Sequence, residues 1–192
     1  MTDKTPLVNI DFAFISKLEG SSNRGYVPDP TESQSGVTIA SGFDIGQRQE
    51  AELKNAFDNE LCAKLLPYVN KIQQKAVAEL QAIPLELSDA EVEKINCYSH
   101  SQAEERLVTS WDESNTYASF ESLSVECQTV VASVSFQYGS LKLKTPNFWK
   151  QVTTGAWQSA LQNLRNFGDK YPSRRNKEAD LLEQWLTNTS NP

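Results

Sequence analysis

The sequence has little of several things that would announce a function. Its 192 residues hold three cysteines and one histidine. Cys62, Cys97 and Cys127 are odd in number and far apart, and no CxxC or Cys/His spacing joins them. That excludes the usual zinc and redox motifs. The three thiols are expected as buried, unpaired helix residues, with one disulfide among them as the alternative in an oxidising compartment. His100 lies in the polar run "SHSQAEE" and is expected to be solvated. No metal or other cofactor is therefore expected. No run of about 18 apolar residues exists, so no membrane span is expected. The start "MTDKTPLVNIDFAF" lacks the basic opening and continuous apolar stretch of a secretory signal. A soluble product made in the cytoplasm, or a piece cut from something larger, is the expectation. Excess positive charge is also missing: the net charge is −7 and the pI about 4.8. The electrostatic footprint of a nucleic-acid binder is absent. Long repeats, low-complexity linkers and acidic tails do not occur.

What is present is an ordinary globular composition, 39% apolar and 22% charged, enough for a core. Residues 9–19, "NIDFAFISKLE", predict a short helix with Asn9 as cap and Gly20 in the left-handed position after its end. Ile10, Phe14 and Leu18 would form its apolar stripe. Residues 24–46 follow with a strand pattern, "RGYV" and "GVTIASGF" flanking the turn-rich "PDPTESQSG". Helices dominate from Gln47 onward, with a break near Asp58 and Pro67 and a helix over about 69–83 long enough to bridge two lobes. "SDAE" at 88–91 is a capping-box pattern. "SVECQTVVASVSFQYG" predicts a central buried helix ended by Gly139. "TPNFWKQVTTG" has Pro146 at the first helical position, and further helices are expected to end at Gly168 and to begin at Ser173. The expected architecture is α+β: mainly helical, with a small antiparallel sheet near the N-terminus and a cleft between two lobes. A small lobe over 9–66, a connecting helix over 67–83 and a helical lobe over 84–192 would form a single domain.

Three residues could carry chemistry. Glu19 closes the first helix, where the negative end of the helix dipole disfavours a second negative charge. That suits a group that must hold a proton, although most glutamates are simply solvated. Asp44 lies between Gly42 and Gly46, where an Asp often just serves a turn. Thr38 is central in "GVTIA", where β-propensity alone can explain it. The spacing from 38 to 44 is even, so on a regular strand both side chains would share a face. An acid for a leaving oxygen, with a carboxylate and hydroxyl to hold water, is the inventory of a glycosidase.

"FISKLEG", "GYVP" and "SGVTIASGFDIG" together resemble the opening of the phage-type lysozyme family, in its pesticin-like muramidase branch. "SFQYG", "FWKQVTTGAWQSALQNLRNF" and "YPSRRNKEADLL" are similar to its C-terminal half. The resemblance spans about residues 9–186, the stretch 50–115 matching only as helical filler. It implies a lysozyme-like fold and an inverting hydrolase of the β-1,4 bond between N-acetylmuramic acid and N-acetylglucosamine. It places the general acid on Glu19, the threonine on Thr38 and the partner carboxylate on Asp44. Asp29 is the second choice for that carboxylate, because ordinary phage lysozymes carry it before the threonine. Tyr26, Gln137, Tyr138 and Arg174 are the candidate substrate contacts, and core packing or a structural ion pair is the alternative for the last three. Trp149, Trp157 and Trp185 are expected in the core and Trp111 at the surface.

The same resemblance implies peptidoglycan as partner, a monomer, and action in the wall of a target cell after delivery. An antibacterial effector would add a periplasmic immunity protein. A non-catalytic binding module on the same scaffold, or an enzyme acting on chitin, are the competing readings.

Overall fold

A computed structural model describes residues 8–190. The described residues form two compact units, one built from residues 19–101, the other from residues 8–18 and 102–190. The predicted mixture of many helices with one small antiparallel sheet is what the chain adopts.

The sheet unit holds three antiparallel strands in the order β1 (Ser22–Tyr26), β2 (Thr38–Ala40), β3 (Phe43–Asp44). Helices α2 (Glu50–Ala56), α3 (Asn59–Leu65) and α4 (Gln73–Ala82) follow. The expected break falls where the sequence placed it. Asp58 caps α3 by accepting from the Leu61 amide at 3.0 Å, and Pro67 sits in a 3-10 turn over Leu66–Tyr68. Val37, Ile39, Phe43, Ile45, Leu53, Leu61, Leu65 and Ile95 are nearly inaccessible and make this unit's core. Phe43, Phe57 and Tyr98 meet edge to face at its side.

The helical unit is organised around α6 (Val125–Tyr138), in which every residue from Cys127 to Ser135 is buried. Ser124 caps it, and Gly139 ends it with φ of 69°. Around it lie α7 (Leu141–Lys144), α8 (Pro146–Thr153), α9 (Trp157–Arg165) and α10 (Pro172–Ser190). Ile15 of α1 (Phe12–Glu19) is fully buried in the same cluster.

Four expectations change. The first helix begins at Phe12, and its cap is Asp11, which accepts from the Phe14 amide at 2.9 Å; the Asn9 amide instead donates to Gln128 Oε1. Trp111 is completely buried rather than exposed: its indole donates to the Ala118 carbonyl at 3.0 Å, and its ring meets Phe120 and Trp149 edge to face. Cys97 is exposed, while Cys62 and Cys127 are buried; all three are free thiols. Residues 67–83 do not form one bridging helix. The missing amide of Pro67 and the positive φ of Asn70 and Gln73 shorten it to α4, inside the sheet unit. The helix with residues in both units is the 24-residue α5 (Asp89–Asp112). It opens on the expected capping box: Glu91 accepts from the Ser88 amide at 2.8 Å while Ser88 Oγ accepts from the Glu91 amide at 3.4 Å.

Candidate active site

The glycine-rich segment 35–47 folds as a tight hairpin rather than as one long strand. Ile39 pairs with Phe43, and Thr38 pairs with Asp44. Three residues make the turn. Ala40 and Gly42 both have positive φ, 54° and 90°, a conformation that glycine adopts without cost and alanine does not. Beyond the hairpin the chain passes itself closely. A Cβ on Gly36 would lie 2.5 Å from the Gly46 Cα, and one on Gly46 would lie 2.3 Å from the Lys71 carbonyl. Only hydrogen fits at either place.

Cross-strand pairing places Thr38 and Asp44 on one face, as directly opposed residues have Cβ atoms about 5 Å apart. The same row continues to β1, where Tyr26 is paired with Thr38. Tyr26, Thr38 and Asp44 thus form a line across the three strands. Their exposures differ sharply: Thr38 is 3% accessible and Tyr26 is 42%. Thr38 Oγ1 donates to the Gly36 carbonyl at 3.3 Å. The Gly36 amide lies 3.0 and 3.2 Å from the two Asp44 oxygens.

Burial pushes the Asp44 carboxyl above the usual aspartate range. The amides of Gly36, Gly46 and Gln47 and the charge of Arg48 pull the other way and offset only part of that rise. The result is a half-buried carboxylate that is more basic than an ordinary one and is aimed by its backbone partners. Asp29, the alternative carboxylate, is exposed and occupied by its own turn, accepting from the Thr31 hydroxyl and the Glu32 amide.

Glu19 ends α1, and Gly20 follows it with φ of 69°, as the sequence predicts. The Glu19 side chain is 12% exposed. Beside it stands His100, with Nε2 4.0 Å from Glu19 Oε2 and a side chain 11% exposed. The expectation of a solvated histidine is therefore corrected. The polar neighbours of His100 were misleading, whereas helical spacing was not. Val92, Asn96 and His100 lie four residues apart on α5, and all three are buried. Asn96 Oδ1 accepts from the amide of Ser41 in the β2–β3 turn at 3.1 Å.

The other expected contacts fall in the helical unit, within a buried ionic network. Arg175 is 1% exposed and Glu178 is fully buried. Arg175 donates to Glu178, to Gln137 and, at 3.0 Å, to Asp169. Its guanidinium also lies over the Phe167 ring at 4.8 Å. Arg174 donates to Glu178 at 3.2 Å and to the Ser133 carbonyl at 2.9 Å. Tyr138 donates to Asp169 at 2.7 Å. Burial, with Asp169 beside it, holds the Tyr138 phenol up at about 12. Arg174, Gln137 and Tyr138 thus have structural partners, the alternative that the sequence left open for them.

Among the described residues no group of three or more His, Cys, Asp or Glu side chains could hold a metal ion. No described helix is long and apolar enough to cross a membrane.

No curated protein matches the chain. One family model does, that of pesticin, described as the C-terminal part of a bacterial toxin homologous to phage lysozyme; it matches residues 9–158. That match contains α1, the whole sheet unit and the buried helix α6. Glu19, Thr38 and Asp44 all fall within it. The chain therefore belongs to the pesticin family of phage-lysozyme homologues, and with it to the lineage of cell-wall glycoside hydrolases.

Proposed function

We propose that the protein is a muramidase that hydrolyses the β-1,4 bond between N-acetylmuramic acid and N-acetylglucosamine in peptidoglycan. Glu19 gives its proton to the leaving oxygen. Asp44 takes a proton from the attacking water, and the Thr38 hydroxyl helps to hold that water. The observation that carries this reading is the cross-strand pairing of Thr38 with Asp44, whose carboxyl is held by the backbone and raised by burial. A base on one strand and a hydroxyl directly opposite make a site for one water molecule. Direct displacement by that water inverts the anomeric centre and calls for carboxyl groups about 6.5–9.5 Å apart. Tyr26, exposed at the end of the same row, offers an aromatic face and a hydroxyl to a sugar. Arg174, Gln137 and Tyr138 contribute indirectly, by fixing the backbone of α6 and α10.

The family's toxin members support an antibacterial role, in which the protein acts as a monomer on the wall of a target cell after delivery. A periplasmic immunity protein would protect the producer.

The test is hydrolysis of purified peptidoglycan, read as turbidity loss with mass analysis of the fragments. Soluble muropeptides should appear with the inverted anomer formed first. Glu19→Gln should abolish their release while leaving the circular dichroism spectrum and Tm unchanged. An active, folded Glu19→Gln protein overturns the assignment. Release of fragments from chitin alone would point to the other polymer, and binding without cleavage to a non-catalytic module.

A further inference from the structure

One face of α5 touches both halves of the proposed machinery. Asn96 holds the β2–β3 turn through the Ser41 amide. One helical turn later, His100 stands against Glu19. Side chains at i and i+4 lie on the same face, about 6 Å apart. The helix that anchors the hairpin of Thr38 and Asp44 therefore also backs the acid.

The environment of the two groups makes the contact count. Both side chains are nearly excluded from solvent, at 11% and 12% exposure. At 4.0 Å, with little solvent between them, the ring and the carboxyl limit each other's movement. Packing explains a buried apolar residue at position 100 on this face, following Val92. It does not explain a titratable ring placed at the end of a carboxyl group.

We infer that His100 is a positioning residue for Glu19: its imidazole stands against the carboxyl and fixes the orientation in which the acid is presented. The catalytic part of this inference rests on the muramidase reading; the pairing itself does not. Glu104 lies one turn further along α5 and is the next acidic side chain on that face. Burial pushes its carboxyl up, which weakens its claim on the imidazole.

His100 is the only histidine, so its ring Hε1 proton gives one unambiguous histidine signal in the proton NMR spectrum. In the full chain at a fixed pH, Glu19→Ala should displace that signal, because the carboxyl stands against the ring. Glu104→Ala serves as the control and should displace it less. An undisplaced signal in folded Glu19→Ala protein overturns the contact. On peptidoglycan, His100→Leu should lower kcat about tenfold with KM little altered, by disturbing the alignment of the acid. His100→Gln, which keeps a polar head, should recover part of the rate, and thermal melting checks that both variants fold. Full kcat in folded His100→Leu protein overturns the positioning role. A displaced His100 signal in Glu19→Ala, with a wild-type protein that leaves peptidoglycan intact, would instead count against the muramidase reading alone.

Discussion

Asp44 is held between two opposing influences. Burial favours its neutral form, and the Gly36 amide favours its charged form, with burial prevailing. The sign has consequences for stability. The folded protein binds this proton more tightly than the unfolded chain does. Its contribution is therefore fully favourable below the ordinary aspartate range and declines as pH rises through the raised folded value. Asp44→Asn removes that decline. The variant should be at least as stable as wild type at pH 7 by denaturant midpoint, while wall hydrolysis falls by about a hundredfold or more, the usual worth of a general base. In wild type, the acidic limb of the rate profile should lie above the ordinary carboxylate range, because Asp44 must be ionised to accept a proton. At this scale the sequence was readable in part. The even spacing of Thr38 and Asp44 pointed to a shared face, and they do share one, though through a hairpin rather than a continuous strand. His100 and Trp111 were misread for a common reason. Polar or unpatterned neighbours in sequence say little about which way a helix face turns, and both residues face inward.

At the scale of elements, the segment 35–47 explains its own composition. Gly42 supplies a positive φ with open space around it, so Gly42→Ala should cost about 1–2 kcal/mol from the backbone conformation alone. Gly36 and Gly46 are different, since backbone atoms occupy the space a methyl would need. Gly46→Ala should cost more than Gly42→Ala, about 3 kcal/mol or above, and should lower wall hydrolysis as well by moving Asp44. Equal losses in the two variants, measured by urea unfolding, would count against the close approach. Helix α10 is tied to α6 by Arg174 and Glu178 through Ser133 and by Arg175 through Gln137. Arg175→Met leaves Glu178 in a site without solvent and short of one cation. A loss of about 3–5 kcal/mol is expected, as for other buried ion pairs broken from one side. Element positions were legible where chemistry marks a boundary. The Ser88–Glu91 box, Asp58, Pro146 and the glycines at 20 and 139 all lie at helix ends. The bridging helix was not legible, because the positive φ of Asn70 and Gln73 interrupts the chain where no glycine marks a turn.

The whole molecule carries a net charge of −7, which is unfavourable for approach to an anionic wall. Salt should therefore help rather than hinder. Raising ionic strength from about 20 to about 150 mM shortens the screening length to about 8 Å and should increase the initial rate of wall hydrolysis. A fall in rate would mean that a local cationic surface, not the net charge, governs encounter. The division of the chain also has an optical consequence. All four tryptophans, Trp111, Trp149, Trp157 and Trp185, belong to the helical unit, and the sheet unit has none. Intrinsic indole emission therefore reports the unfolding of one unit and is blind to the other. Far-ultraviolet dichroism reads the helices of both. Superimposed melting curves from the two signals would establish that the units unfold as one. Separated curves would let each unit's stability be measured in the unmodified chain, with no label attached.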